Sequence, residues 1–133
     1  MRLPPLHFSP VGGTGDYPAW VRELRGHSGA YVIAVTQPGA ASVVAYVGES
    51  HTSNLYETMT RHFQRWARAK KFWAGYSGRT DAPGVWYQRR RCLAAAVTTT
   101  PEEAIVLQDA LIRVLSPRDN IIGQVTTDET VPF

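Results

Sequence analysis

The sequence predicts an α/β (α+β) domain whose centre is a small, three-stranded, mainly antiparallel sheet flanked by helices, in the order ββαβα. Three observations lead to this fold class: two short β-branched and aromatic runs joined by a turn, an amphipathic pattern after them, and a capped helix near residue 100. A chain of 133 residues with 44% hydrophobic and 19% charged residues is predicted to form one globular domain around one core.

The first elements are an irregular arm and a hairpin. Prolines and glycines over residues 1–26 predict the arm, with a short helix around residues 19–24. Residues 29–35 ("GAYVIAV") and 42–48 ("SVVAYVG") have the composition of strands, and the Pro-Gly pair between them is typical of a turn. The two runs therefore predict an antiparallel hairpin.

The second half of the chain supplies two helices and the third strand. A helix over residues 55–70, with Asn54 as its N-cap, is predicted from apolar residues at steps of three and four. A glycine-rich loop follows, and "VWYQRRRCLAAAV" over residues 85–97 predicts the third strand. A capping threonine followed by proline predicts a last helix from Pro101 to about Leu115, where a Ser-Pro pair ends it.

Positive charge is concentrated in one part of the chain. Residues 61–91, the basic block, contain nine basic residues and one acidic residue, whereas acidic residues outnumber basic ones before and after it. Aromatic residues, Trp86 and Tyr87 among them, are interleaved with the cations, which suits phosphate contacts and base stacking. The block predicts a nucleic-acid-binding surface, and the alternative is a solvated face. The predicted contact residues are Arg65, Arg68, Lys70, Lys71, Arg89, Arg90 and Arg91.

The single cysteine and the N-terminal composition bear on the compartment. Cys92 alone forms neither an intrachain disulfide nor a cysteine zinc cluster, so we predict an inert core residue in reducing surroundings. Prolines and glycines near the N-terminus interrupt any signal-peptide core, and no apolar run approaches the length of about eighteen residues that a membrane span needs. The prediction is a protein of the cytoplasm or the nucleoid, outside membranes.

Four motifs follow one another along the predicted elements. They are Gly29-Ala30-Tyr31 on the first strand, Tyr46-Val47-Gly48 on the second, "TRHFQRW" on the next helix, and Pro117-Arg118-Asp119-Asn120 after the last. In this order the motifs resemble the GIY-YIG nuclease family. The predicted organisation is an N-terminal arm over residues 1–26, a GIY-YIG-like domain over residues 27–124 and a C-terminal tail over residues 125–133.

The resemblance implies a metal-dependent endonuclease that hydrolyses phosphodiester bonds of duplex or branched DNA with Mg²⁺ or Mn²⁺, alone, as a homodimer or with a protein partner. It implies that Tyr31 accepts the proton of the attacking water and that Tyr46 helps to position this water. Gly29, Gly48 and Asn120 are its structural residues. In the family, an arginine on the first helix stabilises charge on the scissile phosphate, and a glutamate on the last helix holds the metal.

Two positions depart from the family pattern. Thr58 stands where the family has its arginine, and Arg61, one helical turn on, is the candidate to replace it. Gln108 stands at the position of the metal-binding glutamate, and its amide oxygen can bind Mg²⁺ without contributing charge. Glu49, directly after the second motif, and Glu57 are the alternative carboxylates for the metal.

Two histidines lie near these positions. His62 is a candidate catalytic residue, as a base or a metal ligand, and the alternative is a partly buried histidine of an amphipathic helix. We predict His51 to be an exposed loop histidine. Three functions stay open: an endonuclease with a rearranged arginine and carboxylate set, a catalytically impaired GIY-YIG-fold module that binds nucleic acid or protein, and an accessory subunit whose partner completes its site.

Overall fold

A computed structural model describes residues 2–64 and 86–120 of the protein. Its strands are β1 (Ser9–Pro10), β2 (Ser28–Val35), β3 (Val43–Ser50) and β4 (Cys92–Thr99). Its helices are α1 (Ala19–Arg22), α2 (Leu55–Thr60) and α3 (Pro101–Leu115), with 3-10 turns at Arg61–Phe63 and Arg89–Arg91. Within the described residues the four strands form one antiparallel sheet in the order β1-β4-β2-β3.

The arm adds a strand that the sequence analysis did not predict. The mixed α+β class and the antiparallel sheet are confirmed, but the described sheet has four strands where three were predicted. In β1, Ser9 pairs with Ala94 and Pro10 with Leu93 of β4. A two-residue strand that contains proline has no alternating pattern, so composition does not distinguish it from an irregular arm. The boundaries of arm, domain and tail stay a prediction.

β2 and β3 form the predicted hairpin, and their register decides which side chains share a face of the sheet. Tyr31 lies opposite Gly48, and Ile33 lies opposite Tyr46. Because side chains alternate along a strand, the two tyrosines share one side, which we call the first face. Cys92 is buried here as predicted, and burial raises the pKa of its thiol to about 12. The same core includes Val11, Val21, Leu24, Leu55, Met59 and Phe63.

α3 covers the opposite side of the sheet, the second face. Ala30, Val32 and Val47 pack there against Leu107 and Leu111 of the helix. β2, which lies between β3 and β4, is therefore buried on both sides. Such a central strand tolerates little change in backbone position. The backbone of the Gly29-Ala30-Tyr31 motif, which lies on β2, is therefore tightly constrained.

The last helix has the predicted start and end. The Thr100 hydroxyl accepts a hydrogen bond from the Glu103 N–H, and the Glu103 carboxylate accepts one from the Thr100 N–H, both at 3.2 Å. Pro101 follows in the first turn, and Ser116 ends the helix in the left-handed conformation at φ 47°. Across residues 2–64 and 86–120, none of the helices combines the length and the apolar content needed to cross a bilayer.

α2 is shorter than the predicted helix. It passes into the 3-10 turn Arg61–Phe63, and Gln64 after the turn is extended, at φ −117° and ψ 93°. A continuing α-helix would bond the carbonyl of His62 to an N–H four residues later, but this carbonyl accepts the N–H of Tyr87 at 2.7 Å. The predicted helix is therefore wrong from the 3-10 turn onward as far as Gln64, and its remainder lies outside the described residues.

β4 starts later than the predicted third strand. The 3-10 turn Arg89–Arg91 precedes it, so the placement of these arginines on a strand is wrong. Arg89 turns back to the arm, where its guanidinium donates to the carbonyls of Gly15 at 2.8 Å and Val11 at 3.0 Å. The guanidinium also lies 4.1 Å from the centre of the Tyr17 ring. These contacts attach the arm to the sheet.

Candidate active site

Two motif tyrosines and a histidine converge on the first face. The hydroxyl of Tyr31 lies 2.8 Å from Nε2 of His62, and the centre of the Tyr46 ring lies 4.5 Å from that of the imidazole. The two tyrosine rings are stacked with their centres 6.4 Å apart. Tyr31 and His62 have no exposed surface, and Tyr46 is 5% exposed. The structure thus brings together three of the four predicted catalytic residues.

Gly48 leaves the space that the Tyr31 ring occupies. A Cβ atom at Gly48 would overlap the Tyr31 hydroxyl and would lie 2.8 Å from Cε1 of the ring. The two residues are direct cross-strand partners, so the ring of one covers the backbone of the other. The glycine of the second motif therefore sets the position of the tyrosine of the first, which is a physical reason for the two motifs to occur together.

The contact between Tyr31 and His62 is suited to proton transfer. A neutral Nε2 accepts the phenolic proton, and the phenolate that results is a stronger base than the phenol. In the other tautomer Nε2–H donates to the phenolic oxygen, and the hydroxyl proton is directed to a different acceptor. Burial strengthens the coupling between the two groups because water does not screen it. Because Tyr31 has no exposed surface, a molecule from solvent reaches its hydroxyl only when the groups that cover it move.

Tyr87 belongs to this cluster and was not predicted as a site residue. Its ring centre lies 5.9 Å from that of the His62 imidazole, and its hydroxyl donates to the Asp119 carboxylate at 2.8 Å. Burial, and then the negative charge of Asp119, raise the pKa of Tyr87 above its usual value. The sequence predicts that Tyr87 is available for base stacking, but the residue is only 5% exposed. No local pattern indicates a partner 32 residues away.

The motif that ends the predicted domain lies along the outer edge of β3. The Asn120 amide makes two hydrogen bonds with Val47: Oδ1 accepts the N–H at 2.8 Å, and Nδ2 donates to the carbonyl at 2.9 Å. Asn120 therefore holds the residue next to Tyr46. Two further bonds join the segment to the strand, from the Arg118 N–H to the Val44 carbonyl at 3.0 Å and from the Asp119 N–H to the Ala45 carbonyl at 2.8 Å.

Glu49 lies on the second face, away from the tyrosines. It is opposite Ala30 in the register, and the alternation of side chains places Tyr46 on the other face. Its side chain is fully buried, and both carboxylate oxygens lie 3.1 Å from Nδ1 of His51. The prediction of an exposed His51 is wrong, since its side chain is only 13% exposed. A buried carboxylate two residues earlier accounts for the position of this imidazole.

The remaining predicted residues for metal and phosphate are dispersed. Gln108 is fully buried on α3, and neither Oε1 nor Nε2 of its amide has a hydrogen-bond partner. Thr58 is 2% exposed on α2, and Arg61 is partly exposed in the 3-10 turn. Glu57 has one buried carboxylate oxygen, Oε1, that makes no hydrogen bond. Of these four residues, Arg61 is the one that adjoins His62 in the chain.

The donors in the described structure do not fit a divalent ion in their observed positions. Across residues 2–64 and 86–120, no three His, Cys, Asp or Glu side chains lie close enough to one another to hold a metal. Glu49 is engaged by His51, and the Gln108 amide carries no charge, whereas Mg²⁺ is bound in proteins chiefly through carboxylates. Glu49 and Gln108 are associated with the second face of the sheet and the tyrosine cluster with the first, whereas Glu57 lies on α2, which packs on the first face.

Three of the predicted nucleic-acid contacts lie within the described residues. Arg90 and Arg91 are exposed, whereas Arg89 is bound to carbonyls of the arm. Trp86 is 36% exposed and belongs to the same stretch of the chain. The other predicted contacts, Arg65, Arg68, Lys70 and Lys71, lie outside the described residues.

Comparisons of the chain with protein-family models, with curated proteins and with solved structures find no match. The resemblance to GIY-YIG nucleases therefore rests on the sequence motifs and stays a prediction.

Proposed function

We propose that the chain is a GIY-YIG-like endonuclease domain that hydrolyses DNA phosphodiester bonds and depends on Mg²⁺ or Mn²⁺. The observation that supports this most directly is the 2.8 Å contact between the Tyr31 hydroxyl and His62 Nε2, beside the Tyr46 ring. A phenol that shares a proton with an imidazole can act as a general base, the role that the resemblance implies for Tyr31. The missing side chain at Gly48 leaves the space that the ring of this residue fills.

In the proposed reaction Tyr31 accepts a proton from the attacking water while its own proton passes to His62. The water oxygen forms a bond to phosphorus, the bond to the leaving oxygen breaks, and the leaving oxygen takes up a proton from solvent, to which His62 afterwards returns its own extra proton. Tyr46 positions the water, and Arg61 offsets negative charge on the phosphate. In the family the divalent ion supplies Lewis-acid stabilisation. No described residue is assigned to it here.

A second candidate function is a catalytically impaired GIY-YIG-fold module that binds nucleic acid or a protein. Thr58 and Gln108 favour it, because they are buried and uncharged at the positions where the resemblance implies arginine and glutamate. Glu49 lies on the second face and does not replace the missing charge beside the tyrosines. An accessory subunit is a form of this alternative, in which a partner supplies the missing group and activity appears on reconstitution.

A cleavage assay on the purified chain separates the two candidates. The substrates are supercoiled plasmid, linear duplex, branched DNA and flapped DNA, each with Mg²⁺ or Mn²⁺. The endonuclease is expected to nick or cut at least one of them, and EDTA is expected to abolish the cleavage because the ion is removed. Binding of DNA without cleavage of any substrate, with either ion, would refute the enzyme and support the module.

Replacing Arg90 and Arg91 by alanine is expected to weaken DNA binding and to flatten its salt dependence. Each phosphate contact that is lost lowers the log–log slope by about 0.9, because fewer counterions are released. Arg89→Ala is the matched control, since its guanidinium is bound to arm carbonyls: it should lower thermal stability and leave the slope unchanged. If the double variant keeps the wild-type slope, Arg90 and Arg91 do not contact the phosphates of the DNA.

A further inference from the structure

Tyr87 and Asp119 form a polar link beside the Tyr31–His62 pair, and the reaction proposed above does not use it. We propose that Tyr87 and Asp119 are positioning residues that hold His62 within hydrogen-bonding reach of Tyr31. The effect on catalysis rests on the proposed endonuclease function. The positioning itself does not, because it concerns contacts present in the free protein.

The first part of the link is the contact between Tyr87 and the turn that carries His62. The Tyr87 N–H donates to the His62 carbonyl at 2.7 Å, and the two rings are inclined at 36° with centres 5.9 Å apart. The turn Arg61–Phe63 is a single 3-10 turn, whose internal hydrogen bonds have poorer geometry than those of an α-helix. A bond from outside the turn to its central residue therefore does much to fix the imidazole.

The second part is the attachment of Tyr87 to the sheet through Asp119. Nε and Nη2 of Arg118 donate to the two Asp119 oxygens at 2.9 and 2.8 Å. The Arg118 side chain is 44% exposed, so this ion pair alone fixes Asp119 weakly. The firmer attachment is the backbone bond from the Asp119 N–H to the Ala45 carbonyl at 2.8 Å. Ala45 precedes Tyr46, so the link joins His62 to the strand of the second motif tyrosine.

The Tyr87 hydroxyl stays a donor in neutral solution. Burial first, and the Asp119 charge second, raise the pKa of the Tyr87 hydroxyl above its ordinary value of 10.0. This pKa is higher in the folded than in the unfolded chain. The contribution of the protonated Tyr87 hydroxyl to the stability of the fold is therefore fully present below about pH 10 and is lost as the pH rises further. The hydrogen bond to Asp119 is therefore intact where a nuclease would be assayed.

The test uses side-chain ¹⁵N NMR of the histidines in the full chain. Tyr87→Phe removes only the hydroxyl, and Asp119→Asn removes the charge while it keeps the shape of the side chain. We expect the His62 ring signals, assigned with His62→Gln, to shift or broaden in both variants because the imidazole samples other orientations. We expect kcat for DNA cleavage to fall roughly 10-fold or more with KM unchanged, because proton transfer depends on this geometry.

The matched control is Tyr56→Phe. It deletes a hydroxyl from a partly buried tyrosine outside the link, where the hydroxyl accepts a hydrogen bond from Nη2 of Arg25 at 3.1 Å, and it should leave the His62 signals as in the wild type. Thermal unfolding establishes that each variant is folded. If the His62 signals in folded Tyr87→Phe and Asp119→Asn match those of the wild type, the inference is overturned, whether or not cleavage changes. Altered signals in a chain whose wild type cuts no DNA would support the positioning and refute the endonuclease.

Discussion

Replacing Tyr31 by phenylalanine is expected to lower the rate of DNA cleavage by about 10²- to 10⁴-fold, the contribution typical of a general base. The lost hydroxyl is the group that meets His62 Nε2 at 2.8 Å. The phenylalanine ring still fills the space over Gly48, so the packing of the two motif strands is retained. Single-turnover cleavage with saturating protein measures the chemical step separately from DNA binding.

Two measurements make this result interpretable. The DNA dissociation constant of Tyr31→Phe should equal that of the wild type, because in the proposed reaction the Tyr31 hydroxyl meets the attacking water and His62, not the DNA itself. Tyr56→Phe, which deletes the hydroxyl that accepts a hydrogen bond from Nη2 of Arg25, should cleave at the wild-type rate. A general base contributes far more than about a threefold change in rate. If Tyr31→Phe cleaves DNA at a rate within about threefold of the wild-type rate, Tyr31 does not take part in proton transfer.

Gly29→Ala is expected to lower the free energy of unfolding by about 3 kcal/mol or more, at the upper end for overpacking. A Cβ at this position would overlap the carbonyl oxygen of Val97 and lie 3.0 Å from Cα of Thr98, both backbone atoms of β4. Backbone cannot rotate away as a side chain can, and β2 is held between β3 and β4. Urea unfolding followed by circular dichroism gives the free energy directly.

Gly39→Ala separates this overlap from backbone strain. Gly39 has φ 71° in the turn between β2 and β3, and a Cβ there would meet no atom within 4 Å. Alanine at such a site costs roughly 1–2 kcal/mol through its left-handed conformation alone. Equal losses for Gly29→Ala and Gly39→Ala would show that β4 yields to the added methyl group. The close approach of β4 would then not be the reason for glycine in the first motif.

The elements with strong local signals were predicted well. The hairpin follows from β-branched runs around a Pro-Gly turn, and α3 from its capping box, so each depends on neighbours in sequence. The errors arise where a distant residue decides the structure. The predicted helix stops because Tyr87 takes the carbonyl of His62, and the predicted strand starts late because Arg89 bonds to Val11, 78 residues earlier. Periodicity within a window carries no information on such partners.

The candidate site was predicted in part for a similar reason. The motif order indicated Tyr31 and Tyr46, and the structure places them together with His62. Glu49 was misplaced because the predicted strand ended at Gly48, whereas β3 continues to Ser50. As a strand residue Glu49 falls on the face opposite its neighbours, and no turn brings it to the tyrosines. Extending the strand by two residues in the prediction would have corrected this.

Residues 118–120 also keep the sheet from recruiting other chains. β3 is the outermost strand on its side of the described sheet, and an open edge offers N–H and carbonyl groups to strands of other molecules. Here the carbonyls of Val44 and Ala45, and both the N–H and the carbonyl of Val47, are already bonded to residues 118–120. The side-chain amide of Asn120 bonds both backbone groups of Val47, so the backbone of Asn120 need not pair with β3 as a further strand would. The Pro-x-x-Asn ending thus protects the chain against intermolecular strand addition and aggregation.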